Sequence, residues 1–291
     1  MGALVRYIEK QEALDKIGRT VNERIDAVLA KTPERQKLLD FLHGVWLGHP
    51  LHPVLVSVPI GCWSFAALID LLSFGHQRQS RSATGAIAVG IAGAAAAMPA
   101  GLADWKDLTD QQRRIGLGHA ALNSVALSFY VLSLSMRLLG AGPARLFGLM
   151  GFGVASASAF LGGDLVYRLQ AGVAHLADAE PPENLHLSVG DLELGEREMK
   201  RIDANGFPLL VAKVDGKAYA LVDVCSHLGC SLAAGELGSD RVTCNCHGSQ
   251  FALRDGRVLR GPATAPVQTF EVMSTGIGFI VRPGGDGHAR S

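Results

Sequence analysis

Four long apolar stretches govern what this chain can fold into. They run roughly from Pro53 to Phe74, Ala83 to Leu102, Leu117 to Leu139 and Leu146 to Val166. Each has about the twenty residues that a helix needs to cross a hydrocarbon core. Lipid offers backbone N–H and C=O groups no partner, so a spanning segment must satisfy them internally. The competing reading is a large buried bundle in a water-soluble protein. Four such runs in succession, split by short polar loops, favour spanning helices. So does an apolar content of 48%. The second run is almost all Ala and Gly from Gly85 to Ala100. Small residues let helix backbones approach closely in lipid, which places this span at the centre of the bundle.

An even number of spans puts both termini on one side. That side carries Lys31, Arg35, Lys37, Lys106, Arg113, Arg114 and Arg168 close to span ends, against Arg78, Arg81, Arg137 and Arg145 on the other. The positive-inside rule therefore predicts cytoplasmic termini in a multi-pass cell-membrane protein. Lysine plus arginine equals aspartate plus glutamate at 27 each, so no nucleic-acid partner is expected.

Residues 1–48 are polar with helical periodicity, as in Leu14, Ile17, Val21, Ile25 and Val28. Thr32-Pro33 reads as an N-cap and a first-turn proline. Two amphipathic helices are predicted here, lying at the membrane surface or on the protein's own soluble part. The first residues lack the apolar run and cleavage site of a secretory leader.

Within the membrane part (49–173) the polar residues have a pattern. His49 and His52 open the first span, Asp104 closes the second, His119 opens the third and Asp164 closes the fourth. Antiparallel alternation puts all five on the membrane face that carries the termini. Ionisable groups near membrane depth are costly and are candidate functional groups. Three chemistries compete with plain helix-end capping: a b-type haem, a metal site, or a quinol (quinone) site with histidine accepting protons. Asp70, near the opposite face, reads as a lone snorkelling or packing group. Gly-His-Pro-Leu-His-Pro before the first span, Val-Pro-Ile-Gly within it and Gly-Gly-Asp-Leu-Val-Tyr at the end of the fourth resemble an uncharacterised family of bacterial four-helix membrane proteins. That resemblance implies architecture and no activity.

The C-terminal third has a different grammar. A polar, proline-bearing linker at 174–185 leads into β-patterned sequence over 186–283, and a Gly-rich tail at 284–291 is expected to be disordered. Pro208–Val214 and Lys217–Val224 flank Asp215-Gly216, and Phe251–Leu253 and Arg257–Leu259 flank Asp255-Gly256; both read as hairpins. Between them lie Cys225-x-His227 and Cys244-x-x-His247. Two thiolates and two imidazoles suit a 2Fe–2S cluster, with the cysteines on one iron and the histidines on the other. They also suit tetrahedral zinc.

The residues around the ligands decide between these. Cys-Ser-His-Leu-Gly-Cys at 225–230 and Cys-Asn-Cys-His-Gly-Ser at 244–249 resemble the paired cluster loops of the Rieske iron–sulfur proteins. The resemblance implies short antiparallel strands that carry the ligands on two hairpin-tip loops, with His227 and His247 forming an exposed tip. It implies a disulfide between Cys230 and Cys246, and a Ser249 hydroxyl bonded to a bridging sulfur. Gly261-Pro262-Ala263 resembles the proline loop that covers the cluster from a third side. The high-potential members carry a tyrosine where this chain has Phe251. The potential is therefore expected above plant-type ferredoxins but below the top of the Rieske range of about −150 to +300 mV.

The expected architecture is multi-domain: an all-α four-helix transmembrane bundle followed by an all-β Rieske domain. The expected function is a membrane-anchored one-electron carrier between a membrane donor, quinol or haem, and a partner redox protein. Two alternatives stand beside it: an electron donor to an oxygenase or reductase on another chain, and a cluster-based redox sensor. A self-contained oxygenase would need a separate 2-His-1-carboxylate domain. The bilayer and redox proteins are the expected partners, and a homo-oligomer is compatible with the sequence.

Overall fold

The computed structural model describes residues 2–73, 80–108, 110–140, 142–173, 185–187, 193–204, 206–274 and 279–283. The expected linker, apart from Leu185, and the expected tail lie outside these residues. The chain forms two compact units, Met1–Arg35 with Leu51–Ala171 and Gln36–Pro50 with Gly172–Ser291.

The first unit holds α1 (Gly2–Glu9), α2 (Ala13–Ala30) and the long helices α4 (Leu51–Leu72), α5 (Arg81–Lys106), α6 (Asp110–Leu139) and α7 (Ala144–Tyr167). The last four are long and apolar enough to cross a membrane. Their outer faces expose Leu68, Leu71, Val89, Val131 and Phe160, as lipid-facing surfaces do. With α3 (Arg35–His43), the first 48 residues hold three helices and not the two expected. The additional helix, α1, is too short for a periodicity reading.

Helix α4 packs mainly on α5, and α6 on α7. The small residues of α5 serve the first pair. A Cβ at Gly90 would stand 2.2 Å from Trp63 Nε1, and one at Gly93 2.7 Å from Val58 Cγ1. This span is thus a close partner of α4 and not the axis of the bundle. Trp63 stacks on Tyr130 of α6, with ring centroids 4.1 Å apart. Near the other end, Asp70 of α4 is paired with Arg137 of α6, and both are buried. Asp70 is therefore not the lone group expected. A charge at this depth needs its counter-ion, because desolvating either alone costs several kcal/mol. Helix α2 lies on α6, where Asp15 meets Arg114 at 2.6 Å, and its Asn22 amide donates to the Lys106 carbonyl at the end of α5 at 3.1 Å.

The second unit is β-rich. Strands β1 (Leu185–Leu187), β2 (Glu198–Ala204), β3 (Phe207–Val214), β4 (Lys217–Val222), β9 (Thr269–Ser274) and β10 (Phe279–Pro283) form an antiparallel sheet in the order β1-β10-β9-β4-β3-β2. Strands β5 (Glu236–Leu237), β6 (Arg241–Thr243), β7 (Gln250–Ala252) and β8 (Val258–Arg260) form a second sheet. The core between them includes Leu209, Val211, Leu221, Leu232, Val242 and Phe251. The β3–β4 hairpin turns where the Asp-Gly signal placed it, with φ of 52° at Asp215 and 72° at Gly216. Asp255-Gly256 does not make the same turn. It sits in a five-residue connection between β7 and β8, where a Cβ on Gly256 would meet the Val267 carbonyl oxygen at 1.8 Å. Helix α3 and the short 3-10 turn η1 (Val45–Leu47) belong to this unit, apart from Arg35.

Candidate iron–sulfur centre

Two loops of nearly identical backbone carry the sequence-predicted ligands. In residues 225–230 the Cys225 N–H donates to the Cys230 carbonyl at 2.7 Å, and the Gly229 N–H to the Cys225 carbonyl at 2.8 Å. In residues 244–249 the Cys244 N–H donates to the Ser249 carbonyl at 2.8 Å, and the Gly248 N–H to the Cys244 carbonyl at 3.0 Å. Gly229 and Gly248 both take φ 78°, a left-handed conformation that favours glycine. The second loop is the tip of the β6–β7 hairpin. The first is not a hairpin tip, as was expected, but the crossing from β4 in one sheet to β5 in the other. The Cys230–Cys246 disulfide joins the two loops.

This clasp brings the four ligand-type groups together. The Cys225 and Cys244 thiols are buried and within hydrogen-bonding reach of each other. That contact, with backbone N–H groups of Cys246 and His247, pulls Cys244 down against the opposing effect of burial. The same contact and burial push Cys225 up. The His227 and His247 rings meet edge to face at 4.8 Å. Burial, then the nearby His247 and His43, push His227 down to about 3, so its imidazole stays neutral. His227 Nδ1 is buried with no hydrogen-bond partner among the described residues. Sulfurs ringed by N–H donors beside a neutral imidazole with a buried, unused nitrogen fit a cluster held by two thiolates and two histidines. Cys230, Cys244 and Cys246 also lie with their sulfurs within 4.8 Å of one another, but two of the three are spent in the disulfide and offer no thiolate.

A third loop closes the site. Gly261 precedes Pro262 through a cis bond, and the Ala263 N–H donates to Ser249 Oγ at 3.0 Å. Ser249 is fully buried, and accepting that bond leaves its own hydrogen to donate inward. Two contributions escaped the sequence reading. Asp223, buried at the end of β4, accepts from the Ala233 N–H at 2.7 Å, Ser231 Oγ at 2.7 Å and Arg201 at 3.2 Å, which fixes the base of the first loop. A charge two residues before a ligand, ending an apolar strand, was the available signal. The other is α3. Asp40 accepts from the Gly261 N–H at 2.9 Å, and buried His43 faces His227 electrostatically. The histidine edge is accordingly half-buried, not the exposed tip expected. The polar spacing Gln36, Asp40, His43, one helical face, was its only trace in the sequence.

The polar residues of the membrane part are engaged mainly by backbone carbonyls and ion-pair partners. His119 Nδ1 bonds the Ser158 carbonyl at 2.8 Å, and Asn123 Nδ2 donates to its Nε2 at 3.0 Å, so both ring nitrogens are engaged. His52 Nδ1 bonds the Ala97 carbonyl at 2.9 Å and lies against Gly101, within electrostatic reach of His119. Asp164 pairs with Arg168 at 2.6 Å, and Arg168 also holds Glu9 at 2.6 Å. Exposed His49 bonds its neighbour's Pro50 carbonyl. Asp104 has an interaction of its own. Nothing in this arrangement supports a haem or quinone site.

Comparison with known proteins agrees with this site. Residues 185–271 match the Rieske [2Fe-2S] domain, and residues 48–175 match a predicted membrane protein family, DUF2231. The ferredoxin component of biphenyl 2,3-dioxygenase from Rhodococcus jostii (strain RHA1) is 38% identical over 94 residues, 32% of this chain and 86% of the ferredoxin. The chloroplastic cytochrome b6-f complex iron-sulfur subunit of Bigelowiella natans is 42% identical over 66 residues, 22% of this chain but 25% of that subunit. The solved ferredoxin of carbazole 1,9a-dioxygenase from Nocardioides aromaticivorans IC177 aligns with a TM-score of 0.32 and 22% identity, over 35% of this chain and all of that one. The chain belongs to the Rieske [2Fe-2S] family. Its electron-transfer domain is fused to a four-helix predicted membrane domain.

Proposed function

We propose that this protein is a membrane-anchored one-electron carrier, taking electrons from a membrane donor, quinol or haem, and passing them to a partner redox protein. The carrying observation is the clasped pair of loops, which gathers two buried thiols and two histidines in a domain joined to four membrane-length helices. Cys225 and Cys244 would hold one iron, and His227 and His247 the other. When bound, the 2Fe–2S cluster supplies a single reversible electron. Around it, the chain's residues exclude water through burial and the third loop. Backbone N–H groups near the Cys244 thiol and the Ser249 hydroxyl would donate toward cluster sulfur and favour the reduced state. The distribution of Lys and Arg supports a cytoplasmic position for this domain.

A second reading has one observation in its favour, the 38% identity to a dioxygenase ferredoxin component. On that reading the protein feeds an oxygenase on another chain. The two readings part in one experiment. The holoprotein in lipid nanodiscs is mixed anaerobically with a reduced quinol, and bleaching of the cluster absorbance is followed. Bleaching at a rate that rises with quinol concentration supports the quinol-fed carrier. Silence toward quinol, with reduction by a soluble NADH-dependent reductase, favours oxygenase supply.

A further inference from the structure

Helix α3 is amphipathic the wrong way round. Gln36, Asp40 and His43, spaced i, i+4 and i+7, form one face, and it is the polar face that is covered. The Gln36 amide donates to Asp40 Oδ1, which also accepts the Gly261 N–H at 2.9 Å, and His43 is 5% exposed. A Cβ at Gly261 would stand 2.9 Å from Val45 Cγ2, so the segment seats directly on the third cluster loop. The opposite face is apolar and open: Phe41 is 54% exposed and Trp46 62%, with Leu38 and Leu47 also exposed. Phe41 and Trp46 stack at 5.8 Å, and Trp46 Nε1 donates to the Phe41 carbonyl. A rigid aromatic pair is thus presented outward.

The chain itself says what covers this face. The first membrane-length helix begins at Leu51, five residues after Trp46. Five residues span at most about 17 Å, so Trp46 cannot lie far from the level at which the chain enters lipid. Tryptophan with its aromatic neighbour is the usual occupant of the headgroup layer, where an apolar body and an N–H are both accommodated.

We propose that residues 36–47 are an interfacial clamp: Asp40 and Val45 hold the third loop at Gly261, while Leu38, Phe41 and Trp46 enter the lipid headgroup layer. The clamp ties the third loop to the headgroup layer. It goes beyond the electron-carrier reading and does not depend on which donor or acceptor is used.

Two readouts test it on the full-length holoprotein. In oriented membrane multilayers, the EPR spectrum of the dithionite-reduced wild type should change with the tilt of the sample. The double variant Phe41→Asp, Trp46→Asp should keep the signal and lose the tilt dependence. Both substitutions are at exposed positions, so the fold is spared. Tilt dependence that survives in the variant, or is missing from the wild type, overturns the clamp. In nanodiscs of phosphatidylcholine and phosphatidylglycerol, with Cys62→Ala as background, Phe41→Cys should resist a water-soluble maleimide. Arg257→Cys, on the exposed β7–β8 connection, should react. Equal reaction at both positions overturns the proposal. So does protection of position 41 only on adding a redox protein, which would make this face a protein dock. Neither failure touches the carrier reading, which the quinol experiment tests separately.

Discussion

Ser249 has no water around it and one bond already made, from the Ala263 N–H. On the proposed reading its hydroxyl hydrogen would donate to a cluster sulfur and stabilise added negative charge there. Ser249→Ala is expected to lower the midpoint potential by about 65–130 mV, the one-electron equivalent of ~1.5–3 kcal/mol for a hydrogen bond to a charged group. A redox titration followed by EPR checks the sign and size. His227 makes a second prediction, for the metal-depleted protein. Burial holds its pKa down to about 3, whereas in an unfolded chain it is about 6.5. Between those values the unfolded state binds a proton that the native state refuses. Native stability is then intact above about pH 6.5 and falls by up to ~1.4 kcal/mol per pH unit as pH drops toward 3. Denaturant titrations of the metal-depleted protein across that window check it, with the slope reduced in His227→Asn. At this scale the two Cys-His loops and the disulfide pair were legible, because each lies in a short motif of fixed spacing. Asp223, Asp40 and His43 were not. Their roles depend on which strands and helices come together, and one chain read linearly does not carry that information.

Between elements, two cross-links matter most. Cys230–Cys246 ties loops 16 residues apart in sequence. Closing a loop of that size removes about 3 kcal/mol of unfolded-state entropy in the chain-entropy view. The double variant Cys230→Ser, Cys246→Ser should lose roughly that stability and release iron faster to a chelator. Cluster loss followed by absorbance measures the second effect. In the bundle, Asp70 and Arg137 join α4 to α6 in a dry setting. Asp70→Leu alone strands a buried cation and is expected to cost about 3–5 kcal/mol. Asp70→Leu with Arg137→Leu removes both charges and should recover most of that loss, as measured by thermal unfolding in detergent. The sequence placed Asp70 in the first span and missed its partner: Arg137 lay inside the third run, Leu117–Leu139, but was counted as a span-end charge, because one chain read linearly does not show which face of α6 meets α4. The same limit explains the strands. Asp215-Gly216 needs only its own dihedral angles to turn, whereas the connection around Gly256 is shaped by the distant Val267 carbonyl.

For the molecule, the division into a helical membrane part and a β domain was visible in hydropathy and in the two Cys-His loops, since each is a local property of the chain. What hydropathy did not show is that Gln36–Pro50, ahead of the first span, joins the β domain. That assignment rests on contacts across more than two hundred residues, such as Asp40 with Gly261, a separation of 221. A motif and a helical wheel, read separately, predict the parts without predicting that one covers the other. The central claim is that this chain carries a redox cluster and not a structural ion. The most direct measurement is EPR with metal analysis of the detergent-purified protein, before and after dithionite. The account predicts an EPR-silent oxidised form, a reduced signal whose g values average below ~2, and about two irons per chain with no zinc. A silent reduced form with one tightly bound zinc would contradict it.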